Sequence, residues 1–184
     1  MRKIILSIVV SLDGLIEDSN KELTWHLWDE EIEKYMVEFF SQVDTIIAGR
    51  AAFQQMEVYW PTASSENTVI TDNMNHLKKI VYSKTLKQSD WNNTEIKNEI
   101  VPEEIADLKK AEGKDIVIFG GADIASAFIN RNLVDECHLF IMPSVLGSGT
   151  SLFKKVNKKI KLELLKVKQF KIGAAVLHYK INVK

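Results

Sequence analysis

The feature that most constrains this chain is a strand, a glycine pair and a helix run together in DIVIFGGADIASAFINR, residues 115–131. Ile116, Val117, Ile118 and Phe119 form an apolar run unbroken by charge, which suits a strand covered on both faces and so the centre of a parallel sheet. Gly120 and Gly121 carry no Cβ, so the chain can turn sharply there and a ligand can approach its backbone. The helix after them opens with N–H groups that lack intrahelical partners, and such a start attracts phosphate. A glycine pair also makes a tight turn that holds nothing, so the rest of the chain must decide between the two.

It repeats the pattern. TIIAGRAAFQQM, from residue 45, is a short apolar strand followed by Gly49, Arg50 and a helix, and KKIVYSKTL, residues 78–86, is a third strand ending in Ser83, Lys84 and Thr85. KIILSIVV, residues 3–10, reads as another buried strand, followed by a polar turn, SLDGLIED, that holds Asp13 and Gly14. Residues 29–43 set Ile32, Met36, Phe39, Phe40 and Val43 on one helical stripe, with acids in the first turn where the dipole favours them. Pro61 to Asn67 reads as a surface loop, 69–77 as a short helix and 94–100 as a brief strand. Pro102 opens a helix that stops near Gly113. Residues 134–142 form a strand ending at Pro143, SVLGSGTSLF is a glycine-bearing loop, and 160–170 with 174–182 alternate as an antiparallel hairpin does. Strands alternating with helices and closed by such a hairpin predict one α/β domain over residues 1–184.

In open α/β sheets ligands bind beyond the carboxyl ends of the strands. Gly49 and Arg50, Ser83 to Thr85, and Gly120 to Ile124 should therefore meet along one edge and outline a phosphorylated nucleotide. Neither G-x-G-x-x-G nor G-x-x-x-x-G-K-[ST] is present, so the nucleotide belongs to some other fold. A formal net charge of -1 gives no footprint for nucleic acid, and no apolar stretch reaches the about 20 residues of a membrane span. With a single cysteine, Cys137, expected to fill core, and no cleavage pattern after Arg2 and Lys3, the chain is expected to be cytoplasmic.

These segments resemble the dihydrofolate reductase-like reductases, and among them the C-terminal reductase domain of the bifunctional riboflavin-biosynthesis deaminase-reductase. SLDG, IAGR, VYSKTL and GKDIVIFGGADIASAFINRNLVDECHLFIMPSVLGSGTSLF carry the resemblance in the family's order, over nearly the whole chain. It implies a three-layer α/β fold with a mostly parallel central sheet and an antiparallel C-terminal hairpin, NADPH as hydride donor, and often a homodimer. It also implies that Arg50, Ser83 and Lys84 contact the adenosine 2′-phosphate, and that the turn of Gly120, Gly121, Ala122, Asp123 and Ile124 holds the pyrophosphate, with Gly49 and Thr85 beside them. The chain departs from the family where Ala52 stands in place of the usual hydroxyl residue, and where Asp123 adds a negative charge expected to point outward. The deaminase signatures H-x-E and C-x-x-C are absent.

NADPH would bring the hydride chemistry itself, so no strong acid–base signature is required of the protein. Asp29 and Asp13 are the candidate catalytic carboxylates, set against a helix cap and a turn residue respectively. Trp25 and Trp28 are the candidate substrate contacts, with His26 between them as a possible proton donor and Tyr59 and Trp60 as an aromatic wall. His76, His138 and His178 sit in unrelated segments, and no metal site is expected. The expectation is an NADPH-dependent reductase of a small heterocycle, a riboflavin precursor of the ribosylaminouracil type or a pterin or folate. The competing class is an NADPH-binding regulatory module without turnover.

Overall fold

A computed structural model describes residues 1–63 and 67–182. The expected 61–67 loop therefore falls partly outside them, and the part that is described forms a 3-10 turn at Trp60–Thr62. The strands are β1 (Ile4–Ser11), β2 (Leu15–Asp18), β3 (Val43–Gly49), β4 (Lys78–Tyr82), β5 (Thr94–Lys97), β6 (Asp115–Phe119), β7 (Glu136–Met142), β8 (Gly149–Ser151), β9 (Lys161–Gln169) and β10 (Ala175–Asn182). The helices are α1 (Glu30–Phe40), α2 (Arg50–Tyr59), α3 (Thr68–His76), α4 (Pro102–Lys110) and α5 (Ala122–Asn130).

Eight strands form one sheet in the order β5-β4-β3-β6-β1-β7-β10-β9. The six strands from β5 to β7 run parallel, and β10 turns antiparallel to both β7 and β9. From β1 the chain leaves a gap, builds β3, β4 and β5 outward, and returns to fill the gap with β6, which explains why both β1 and β6 are almost continuously apolar. Each is covered twice.

Alternate residues of these strands feed two layers of helix. Ile4, Leu6, Ile116 and Ile118 pack against Ile105 of α4 and Phe128 of α5. Ile5, Ile46, Val81 and Val117 pack on the other face against Phe39 and Phe40 of α1, Phe53 of α2 and Met74 of α3. A third cluster, holding Ile32, Phe140 and Val176, extends that second layer over β7 and β10. Cys137 is buried in the first layer, and burial pushes its thiol up to about 12.

One sequence expectation is corrected. SLDGLIED is not only a turn: Leu15–Asp18 is β2, paired antiparallel with β8 inside the expected 144–153 loop. The alternation there spans too few residues to read as strand, and each strand has only the other for a ladder partner. In β4, Lys79 is 1% exposed and gives its ammonium to the carbonyls of Asn75, Leu77 and Asn92 over the face of Trp91, which pins β4 in place. Among the described residues no helix is long and apolar enough to cross a membrane.

Candidate functional site

Because β4, β3 and β6 are parallel neighbours, their carboxyl ends bring Ser83 to Thr85, Gly49 with Arg50, and Gly120 to Ile124 to one edge. All ten of these residues line a single cavity of about 1340 Å³. The helix starts differ in a telling way. Asp29 caps α1, accepting a hydrogen bond from Ile32 N at 2.9 Å; Asn67 caps α3 in the same manner; and α4 begins with proline, which has no N–H to satisfy. The two helices that open on the cavity, α2 and α5, have Gly49 and Gly121 at the cap position and no side-chain hydrogen bond there. Their N–H groups and the positive ends of their dipoles are thus left for whatever enters the cavity, an arrangement that receives an anion.

The turn between β6 and α5 requires its glycines. Gly120 and Gly121 have φ of 77° and 82°, and a Cβ on Gly120 would lie 2.8 Å from the Cβ of Ala52. The first turn of α2 is therefore pressed against the glycine turn, with alanine at the contact. Arg50 and Lys84 are exposed, and neither forms an ion pair among the described residues; Arg50 only donates to Gln54 Oε1 at 3.0 Å. Ser83 is buried, and its Oγ accepts from Leu86 N at 2.9 Å and Thr85 N at 3.2 Å, so the hydroxyl shapes the turn that presents Lys84. Asp123 points outward to Lys155, 2.8 Å away, with its side chain 70% exposed.

The far half of the cavity is made of side chains. Trp28, just before the α1 cap, and Ile32 and Met36, four residues apart on α1, line it, and Phe140 and Met142 of β7 complete an apolar wall. Tyr59 and Trp60 also line the cavity, with their rings edge to face at 5.1 Å. Glu17 of β2 brings a carboxylate into this half, held by Thr150 Oγ1 of β8 at 2.6 Å. The strands carrying this pair approach so closely that a Cβ on Gly149 would meet Glu17 O at 2.0 Å. His26 lines the cavity with Nε2 buried and unpartnered, and burial pushes the ring down to about 4, so it is neutral at neutral pH.

The structure does not bring Asp29, Asp13 or Trp25 into the cavity lining. Asp29 spends its carboxylate on the α1 cap. Asp13 accepts from Ser11 Oγ at 2.6 Å and from the backbone N–H groups of Leu146 and Gly147, which ties the turn after β1 to the loop after β7 and holds its carboxyl down at about 2. Trp25 stacks edge-on to His26 and donates its indole N–H to Glu22 O. Asp29, the extended cap residue between Trp28 and the first turn of α1, is held to Ile32 N and so is kept off the cavity wall. Glu17 was missed because its position depends on the β2–β8 pairing, which no local pattern announces. His138 and His178, far apart in sequence, are cross-strand neighbours on β7 and β10.

Comparison with known proteins agrees with this architecture. A solved structure of a putative riboflavin biosynthesis protein from Shewanella sp. PV-4 matches with a TM-score of 0.79 at 21% identity, over 98% of this chain and 99% of that one. Dihydrofolate reductase from Enterococcus faecalis, complexed with NADP(H) and RAB-propyl, matches with a TM-score of 0.67 at 17% identity, over 98% and 97%. The fold is the dihydrofolate reductase-like one. The uncharacterized protein YyaP of Bacillus subtilis (strain 168) is 37% identical over 183 residues, 98% of this chain and 96% of its own length. The sequence profile of the RibD C-terminal domain matches residues 2–176, and the chain belongs to that family.

Proposed function

We propose that this protein is an NADPH-dependent reductase of a flat heterocyclic substrate, of the kind reduced in riboflavin or pterin metabolism. The observation that carries the proposal is the pair of uncapped helix starts, α2 and α5, facing each other across the glycine turn at the carboxyl ends of β3 and β6. A pyrophosphate needs donors and no side-chain competitor, and this is where the fold leaves both. Arg50 and Lys84 stand beside it without acidic partners, as cations for a 2′-phosphate.

When bound, NADPH supplies the hydride. The protein's part is to hold the substrate ring against the nicotinamide and to manage a proton. Trp28, Ile32, Met36 and Phe140 offer apolar surface for the ring and exclude water from it. Glu17, fixed by Thr150, is positioned to accept a hydrogen bond from a ring N–H or to relay a proton from solvent. Lys154 and Arg131 also line the cavity as cations that a phosphorylated substrate would require, which keeps a riboflavin precursor beside a pterin as candidate substrates.

The test is NADPH oxidation, followed by absorbance, against 5-amino-6-(5-phosphoribosylamino)uracil, dihydrofolate and simple pterins. Turnover with the phosphoribosyl compound and not with its dephosphorylated form is expected. Tight NADPH binding with no turnover on any of them would leave a binding module in place of an enzyme.

A second copy of the chain belongs to the same proposal. All nine residues of the edge strand β9 are exposed, including Leu162, Leu164, Leu165 and Val167, the kind of edge that a monomer usually blunts. Light scattering should report a dimer that Leu164→Lys with Val167→Lys converts to a monomer; a monomeric wild type would sink this part alone.

A further inference from the structure

Glu136 and His138 are two residues apart on β7 and so share a face of the sheet, and His178 lies directly across from His138 on β10. One nitrogen or oxygen from each of these three side chains falls within 4.8 Å of the others. Glu136 and His138 are each 7% exposed, yet His138 Nε2 is buried with no hydrogen-bond partner, which is costly for a polar atom unless something else occupies its lone pair. The cluster lies along β7 from the cavity, and none of the three lines it.

We propose that Glu136, His138 and His178 form a binding site for a divalent transition-metal ion of the zinc type, a second site apart from the reductase cavity. The groups around the three are arranged as supports for metal ligands. Lys3 Nζ holds Glu136 Oε1 at 2.7 Å, which turns Oε2 to the histidines, where it now meets His178 Nε2 at 2.8 Å. Tyr35 OH lies 3.4 Å from His138 Nδ1; a proton on Nδ1 directed to that hydroxyl leaves the Nε2 lone pair free. Such outer contacts are what fix the tautomer and aim of a ligating histidine.

Two imidazoles and one carboxylate suit zinc, cobalt or nickel rather than magnesium or calcium, whose ligands are oxygens. Ligand bonds of about 2.0–2.1 Å require tetrahedral donors about 3.4 Å apart, so the cluster closes on an ion by side-chain rotation on the order of an ångström. Access is available, since the side chains of His178 and Lys3 are 22% and 53% exposed. The ion would bind in place of the Glu136–His178 hydrogen bond and tie β10 to β7, with the fourth position left to water. Cys137, between the two β7 ligands, points to the opposite face and takes no part.

The test uses the full chain freed of metal by chelator, with zinc chloride alone as the probe. Calorimetry should report one zinc per chain in the wild type, weakened at least tenfold in His178→Gln and in Glu136→Gln and unchanged in His76→Gln. Addition of zinc to the wild type should shift the imidazole NMR signals of His138 and His178 and leave those of His26 and His76 in place, a readout that does not depend on any variant folding. Zinc binding of equal strength in wild type and His178→Gln, no saturable zinc binding, or His138 and His178 signals that stay fixed would each overturn the site.

Discussion

The two halves of the cavity are made of different material. The half at the strand ends is built from backbone: two helix starts, a glycine turn at positive φ, and a serine whose hydroxyl folds its own loop. The other half is built from side chains that arrive from α1, β2, β7 and β8. A backbone site can hold what many reductases share, the cofactor, because its donors do not change with side-chain identity. A side-chain site can change residue by residue, and there substrate choice is set. The comparison says where each kind of substitution should act.

The largest effect is expected at the shared backbone. Gly121 has φ of 82°, so Gly121→Val forces a β-branched residue into the left-handed region and puts its methyls at the start of α5. NADPH and NADH should both lose about a hundredfold or more in affinity, read by fluorescence titration, with an unchanged far-ultraviolet spectrum showing that the sheet survives. A variant that binds both cofactors normally would break the comparison at its root.

Next in size is Glu17→Gln, which keeps the size of the side chain and removes its charge. If Glu17 relays a proton, kcat should fall about tenfold to a hundredfold, within the range of general acid–base effects, while NADPH affinity stays put. A fall in cofactor affinity instead would mean that the two halves are not separable.

Acid should find the substrate half before the cofactor half. His26, and His138 outside the cavity, are both pushed down from 6.5 to about 4, chiefly by burial. The unfolded chain binds protons on these rings below about pH 6.5 and the folded chain resists until about 4, so their contribution to stability is complete above 6.5 and is lost as pH falls through that window. Urea melts at pH 7, 6, 5 and 4.5 should show the midpoint falling, and His26→Gln should flatten the slope. An unchanged slope would place His26 in water.

Asp29→Ala is the smallest. It removes one cap hydrogen bond from α1 and should cost about 1 kcal/mol of stability with turnover unchanged. A large loss of turnover would restore the carboxylate to catalysis.

The same contrast explains what was legible in the sequence. Gly120, Gly121 and Arg50 follow apolar runs that can only be buried strands, so their place at one edge follows from local pattern and the rule for open sheets. Seven strands fell within a few residues of their expected bounds, five as apolar runs and two by the alternation of the C-terminal hairpin. Glu17, Thr150 and the His138–His178 pair are brought together by pairings between strands distant in sequence, β2 with β8 and β7 with β10, and a local pattern does not encode register. For Asp29 the local pattern leaves two roles open, since an acid before a helix serves equally as cap or as catalyst, and the hydrogen bond from Ile32 N that makes it a cap is visible only in the structure.

The central claim is that the strand-end half receives a dinucleotide carrying a 2′-phosphate, and one titration tests it most directly: NADPH and NADH against the wild type and Lys84→Ala. A hydrogen bond to a charged group contributes about 1.5–3 kcal/mol at its strongest, and Lys84 is exposed, so the low end applies and NADPH affinity should drop about tenfold in the variant. NADH affinity should change less than about twofold, since it lacks the group that Lys84 would meet. Equal affinity of the wild type for the two cofactors, or an equal loss of both in Lys84→Ala, would contradict the account.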